Sequence, residues 1–184
     1  MNKTIALVIS LIVAIVSSKS VESDTTTVPF HIYNAATKFK IDVALLYAFC
    51  RVESNCRAKA INHDDGTPAQ KALGIIDKSY GLFQIKASTA QGLGFEVIEK
   101  VKVTTLRHGK SRTIVKTINH TKDLLKPEVN AWYAAKLLRH LYDRYGDTVK
   151  VISAYNAGHP TKANDEYVSK VLKQYARYKI DHRF

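Results

Sequence analysis

A run of apolar residues from Val43 to Val52, opened by Asp42 and cut short at Glu53-Ser54-Asn55, constrains this chain more than any other stretch. Its spacing reads as a helix. Asp42 suits the N-cap, because a short carboxylate accepts from the free amides of the first turn. Asn55 suits the stop, because asparagine tolerates the left-handed backbone that ends helices. On that helix Glu53 shares a face with Cys50, Phe49 and Leu46, at offsets of three, four and seven. Such a face must be buried, so the chain has to build a helical core around it and carry a carboxylate to the core's edge. Partial burial and the negative end of the helix dipole both disfavour ionisation, so the Glu53 carboxyl is expected to keep its proton to higher pH than an ordinary glutamate. A carboxylic acid of that kind suits general acid catalysis. A glutamate in a last turn is more often solvated or paired with a nearby arginine, so Glu53 alone is a candidate and no more.

Cys50 and Cys56 are the two cysteines of the chain, and they flank Glu53. An even count suggests a bridge in an oxidising compartment. On a continuous helix they would face different directions, so a bridge requires the helix to end near Ser54 and the chain to fold back. The alternative is two buried thiols. No further ligand falls at a metal-binding spacing, and neither a metal nor another cofactor is expected.

The compartment is read from the start of the chain. Lys3 precedes a twelve-residue apolar run, Ile5 to Val16, broken by Ser10 and followed by Ser17-Ser18-Lys19-Ser20. Residues 1–20 therefore read as a signal peptide, too short for a comfortable membrane span, with an uncleaved anchor as the alternative. The mature protein is expected to be periplasmic or secreted. The 184 residues suffice for one domain with a real core, placed at 27–184. The formal charge of +12 becomes +10 without Lys3 and Lys19. That balance favours an anionic partner. Export makes nucleic acid the least suitable one and leaves anionic lipid surfaces and wall polymers.

Most of the remaining pattern is helical. Phe30 to Phe39 is helix-like after Pro29. Pro127 opens a helix to Tyr145 with Val129, Trp132, Ala135, Leu138 and Tyr142 in register, and Trp132 is expected in the core. Val149 to Tyr155 and Tyr167 to Tyr178 follow as helices. His63 to Pro68 is a turn signal. Residues 96–118 differ: β-rich runs on either side of His108-Gly109-Lys110 predict a hairpin. It carries Lys100, Lys102, Arg107, Lys110, Arg112 and Lys116. Edge lysines that guard a solvated hairpin are the simpler reading. An arm that touches an anionic polymer or a protein partner is the functional one.

Three short motifs then fall in order: Glu53-Ser54, Ser79-Tyr80-Gly81-Leu82-Phe83-Gln84-Ile85, and Ala154-Tyr155-Asn156-Ala157-Gly158. With Pro127-Glu128-Val129-Asn130, they resemble the lytic transglycosylases of the soluble-lytic-transglycosylase type, from about Phe30 to Leu172. Compact members that open the wall for a secretion, pilus or conjugation apparatus are most similar. The resemblance implies a mainly α, lysozyme-like domain in which the basic hairpin is an insertion. It also implies cleavage of the β-1,4 bond between N-acetylmuramic acid and N-acetylglucosamine in peptidoglycan, with Glu53 as the single acid and then base, leaving 1,6-anhydromuramoyl ends. One carboxyl acting twice obeys microscopic reversibility.

The remaining motif residues have expected jobs. Gly81 allows a close backbone approach or a positive φ. Gln84 offers donors and an acceptor to a sugar. Ser54 bonds substrate or caps the broken helix end. Tyr155 holds Glu53 or lines the sugar site, and Asn156 binds sugar hydroxyls. By resemblance, Tyr167 also reaches the cleft. Two departures stand out: Ala163 and Asn164 replace a common Glu-Thr pair ahead of Tyr167, and Phe83 replaces a common Met. Two rivals remain at this level. One is a water-using muramidase with Asp64, Asp65 or Asp77 as its second carboxylate. The other is a non-catalytic module that binds the wall or a secretion apparatus.

Overall fold

The computed structural model describes residues 27–63, 77–107 and 110–181. The expected export segment, Asp64, Asp65 and the hairpin tip His108-Gly109 lie outside them. Helices α1 (Thr27–Phe39) and α2 (Val43–Ser54) come first. Three two-residue strands follow, β1 (Ile61–Asn62), β2 (Ser79–Tyr80) and β3 (Ile85–Lys86), and then the short helix α3 (Ala87–Gly92). The ribbon β4 (Ile98–Arg107) and β5 (Lys110–Asn119) leads through a 3₁₀ turn at Thr121–Leu125 into the long helix α4 (Pro127–Tyr145). Helices α5 (Thr148–Ala157) and α6 (Asp165–Asp181) close the chain. The mainly helical fold with a basic hairpin is thus the one expected.

Helix α2 starts and stops where its local chemistry says it should. The Asp42 carboxylate accepts from the Ala44 and Leu45 amides at 2.8 and 3.3 Å. Its second oxygen accepts from the Tyr175 hydroxyl at 2.9 Å and pairs with Lys179 at 2.8 Å, so the cap also staples α2 to α6. At the other end Asn55 and Cys56 are both left-handed, with φ of 56° and 57°. Two such residues in a row reverse the chain, bring the Cα atoms of Cys50 and Cys56 to 4.9 Å, and join the pair as a disulfide.

α2 packs chiefly on α6, and α1 on α4. Leu46 and Phe49 of α2, Leu138 of α4, Ile152 of α5 and Phe83 of the β2–β3 turn are fully buried in the core, each contributing about 1.5–3 kcal/mol of hydrophobic stabilisation. The buried stripe of α4 runs through Ala131, Ala134, Ala135, Leu138 and Leu141. Trp132 lies one step round the helix. It is 41% exposed, its indole edge-on to Phe39 with ring centres 4.8 Å apart. The expectation of a core tryptophan is corrected here: small alanines let α1 approach α4 closely, and the bulky ring is left at the rim.

The strands form two separate sheets. In the first, β2 pairs antiparallel with both β1 and β3. In the second, β4 and β5 pair in unbroken register from Ile98–Asn119 to Arg107–Lys110. None of the described helices is long and apolar enough to cross a membrane.

Candidate active site

Glu53 occupies the last turn of α2, half-buried, just before the chain reverses. The Tyr167 hydroxyl, delivered from the first turns of α6, donates to its Oε1. The Tyr167 phenol is pushed far above its ordinary range, by burial first and then by the charges of Glu53 and Tyr155. It therefore stays a donor. Tyr155 is likewise raised well above a normal phenol, by burial and then by Glu53. Its ring packs on Phe49 at 4.5 Å, and its hydroxyl donates to the Phe83 carbonyl at 3.0 Å. Two permanently protonated phenols thus sit beside one carboxyl group.

Facing the end of α2 is the turn 81–84 between β2 and β3. Gly81 has a φ of +73°, and a Cβ there would lie 2.7 Å from the Asn130 side chain and 2.8 Å from the Leu124 carbonyl. Only glycine meets both demands. Asn130, fully buried on α4, clasps this turn. Its Oδ1 accepts from the Phe83 amide at 2.8 Å, and its Nδ2 donates to the Tyr80 and Leu124 carbonyls, each at 2.8 Å. Gln84 also has a positive φ, +48°. Its amide nitrogen donates to the Gly81 and Ala60 carbonyls at 2.9 and 3.3 Å, which orients the group. Ser54 ties the helix end to the same turn: its hydroxyl donates to the Leu82 carbonyl at 2.7 Å and accepts from the Arg57 amide at 3.0 Å.

A cleft of about 490 Å³ opens between these parts. Glu53, Gln84, Tyr155 and Asn156 line it. So do Asn62, Ser79 and Lys86, which form one cross-strand row on the small sheet. With this geometry in view, residues 30–177 match the family described as the transglycosylase SLT domain. The chain belongs to that family. A search of curated protein sequences finds no match. Among solved structures, the chain is similar to lytic transglycosylase Slt from Pseudomonas aeruginosa, in an inactive variant carrying glutamine for glutamate. The two share 17% identity with a TM-score of 0.55; the likeness covers 83% of this chain and 24% of that one. At that identity the likeness is one of fold.

Within this SLT domain the expected site residues divide into two groups. Glu53, Gln84, Tyr155 and Asn156 share the cleft, and Tyr167 reaches it through its bond to Glu53. Ser54 and Gly81 do not line it. Both are buried, the Ser54 hydroxyl bonded to the Leu82 carbonyl and Gly81 packed against the Asn130 side chain. The Ser54 hydroxyl thus bonds groups beyond the helix, the Leu82 carbonyl and the Arg57 amide, and not a carbonyl of the helix end. Asn164, one of the two departures ahead of Tyr167, is buried and donates to the Ser153 carbonyl at 2.8 Å. That bond ties the start of α6 to α5 and supports the placement of Tyr167.

Other parts of the SLT site were missed from sequence. Asn130 stood within a quoted motif without a job. Its signal was a polar residue on an otherwise apolar helical face, one step from Ala131 and four from Ala134. Asn62 and Lys86 had no sequence signal, since two-residue strands are too short to show alternation. Of the rival carboxylates, Asp77 accepts from the Ser88 amide and hydroxyl and is not part of the cleft wall. Among the described residues, Glu53 is the one carboxylate that lines the cleft.

Proposed function

We propose that this chain is a peptidoglycan lytic transglycosylase acting outside the cytoplasm, with Glu53 as its single acid and base. The observation that carries the reading is a half-buried carboxyl bonded by Tyr167 in a cleft whose described lining holds no second carboxylate. Glu53 donates its proton to the glycosidic oxygen as the bond between N-acetylmuramic acid and N-acetylglucosamine breaks. The Tyr167 hydroxyl stabilises the carboxylate that remains. That carboxylate then takes the proton from the C6 hydroxyl of the muramoyl sugar, whose oxygen closes on the anomeric carbon. The proton is returned to Glu53, and the product is a 1,6-anhydro end. No water is consumed.

Gln84, with its amide nitrogen held by two carbonyls, keeps its oxygen to accept from the substrate's N-acetyl or hydroxyl groups. Asn156 and the row Asn62, Ser79 and Lys86 supply further polar contacts along the glycan. The inactive state of the glutamine variant of the similar Pseudomonas protein supports a glutamate at the centre of this chemistry.

The test is the mass of the muropeptides released from purified sacculi. Anhydro ends are one water lighter than reducing ends. Reducing ends alone would favour the water-using muramidase and reject the cyclisation step.

A further inference from the structure

The β4–β5 ribbon takes no part in the cleft. We propose that it is a docking arm for anionic phospholipid surfaces, laid down on the face that carries Ile98, Lys100, Lys102, Leu106 and Val115. Antiparallel pairing puts these residues on one side, since cross-strand partners share a face. The inference is independent of the reaction assigned to Glu53.

Four observations carry it. First, among the described residues the ribbon has no packed partner beyond its base, where Glu99 bonds His120. It spans about 34 Å at the usual antiparallel rise, its main contacts are between its own strands, and none of its aliphatic side chains joins the hydrophobic core. Second, the aliphatic side chains of this face are exposed to water: Leu106 is 78% and Val115 is 60% exposed. Third, residues 98–119 hold six lysines and arginines against one carboxylate, Glu99; Lys100 and Lys102 stand on this face, and Glu99 is on the other. Fourth, the exposed face is stiffened by its own bond, the Thr104 and Thr113 hydroxyls being 3.0 Å apart.

The partner must therefore offer anions and an apolar phase together. A glycan offers no apolar phase to leucine and valine, and residues 98–119 contain no Phe, Tyr or Trp to lie on a sugar face. An anionic bilayer surface offers both. Headgroup phosphates attract lysine and arginine, and the acyl boundary receives the aliphatic side chains. Long lysine stems let the ammonium groups stay at headgroup level while Leu106 and Val115 enter.

The test is co-sedimentation of the full chain with vesicles of equal parts phosphatidylglycerol and phosphatidylcholine, against vesicles of phosphatidylcholine alone. The wild type is expected on the anionic vesicles only, and less so as salt rises. Each lysine near the surface is worth about fivefold, so Lys100→Gln with Lys102→Gln should weaken binding about 25-fold. Leu106→Ser should weaken it about tenfold, through lost apolar burial. Arg112→Gln with Lys116→Gln, on the opposite face, should weaken it less than the Lys100 and Lys102 pair. All of these variants should retain wild-type melting temperature and wild-type cleavage of soluble glycan strands.

Equal partitioning onto both vesicle types, or onto neither, overturns the proposal. So does binding that the lysine and leucine variants leave unchanged. An equal loss from the opposite-face pair rejects the face assignment. Ribbon-dependent binding to lipid-free sacculi or to an acidic protein, without vesicle binding, replaces the bilayer with that partner.

Discussion

The turn at 81–84 and the β4–β5 ribbon are built on opposite terms. In the turn nearly every polar group is committed: Phe83 and Tyr80 to Asn130, Leu82 to Ser54, Gly81 and Ala60 to Gln84. Two of its four residues hold a positive φ. In the ribbon the backbone pairs with itself, and most side chains face water. The contrast shows where this chain needs placement and where it needs reach. The proton-donor role proposed for Glu53 needs it within hydrogen-bond range of its target, and a buried network around it suits that need. An arm that meets a surface outside the molecule needs charge and exposed area, which local strand pairing supplies.

This contrast can be broken by experiment, and the largest effect belongs at the cleft. Glu53→Gln should lower sacculus digestion at least about 10³-fold, the scale of a general acid's contribution, while sacculus binding and melting temperature stay near wild type. Full digestion by that variant would remove Glu53 from the chemistry. Next, Gly81→Ala should destabilise the fold by about 3–4 kcal/mol, because the methyl group meets Asn130 and the Leu124 carbonyl and the backbone is left-handed. A denaturation midpoint within error of wild type would mean the clasp is slack. Asn130→Ala should cost about 2–4 kcal/mol in the same measurement, since it orphans the Phe83 amide and two carbonyls. By contrast, Val115→Thr in the ribbon should change stability by less than about 0.5 kcal/mol.

The smallest effect lies at the foot of the ribbon. At the base of the ribbon His120 bonds Glu99 at 3.0 Å and Asp123 at 3.1 Å. Those bonds, Glu99 first, raise its pKa above the ordinary 6.5. The added stability is complete below about 6.5, where the ring is charged in folded and unfolded chains alike. It disappears as pH climbs through the raised folded value. Amide exchange at Val97 to Glu99 should therefore quicken as pH passes that value, beyond its intrinsic rise, and His120→Gln should abolish the step. An unchanged profile would show that these carboxylates do not anchor the ribbon.

How much of this was legible depends on distance along the chain. Asp42 and Asn55 announced the ends of α2 because each acts on backbone groups within a few residues. The ribbon was legible because alternation and a glycine turn are local signals. Trp132 was misread because helical periodicity leaves the centre of the apolar stripe open by about one residue, and only the approach of α1 decides it. Ser54 was read as bonding substrate or capping the helix end, and its bond to the Leu82 carbonyl, 28 residues on, had no local signal.

The sequence by itself determined where the main helices lie, that the two strands of the ribbon pair with each other, and which carboxylate stands at a helix terminus beside apolar residues. These follow from capping, turn chemistry and side-chain spacing, each settled within about one turn of chain. Only the tertiary structure decided that Tyr167, 114 residues away, holds Glu53, that Asn130 clasps the turn opposite, and that Gly81 and Ser54 support the cleft without lining it. Such pairings depend on how a densely packed core brings distant helices together, and no local preference encodes that.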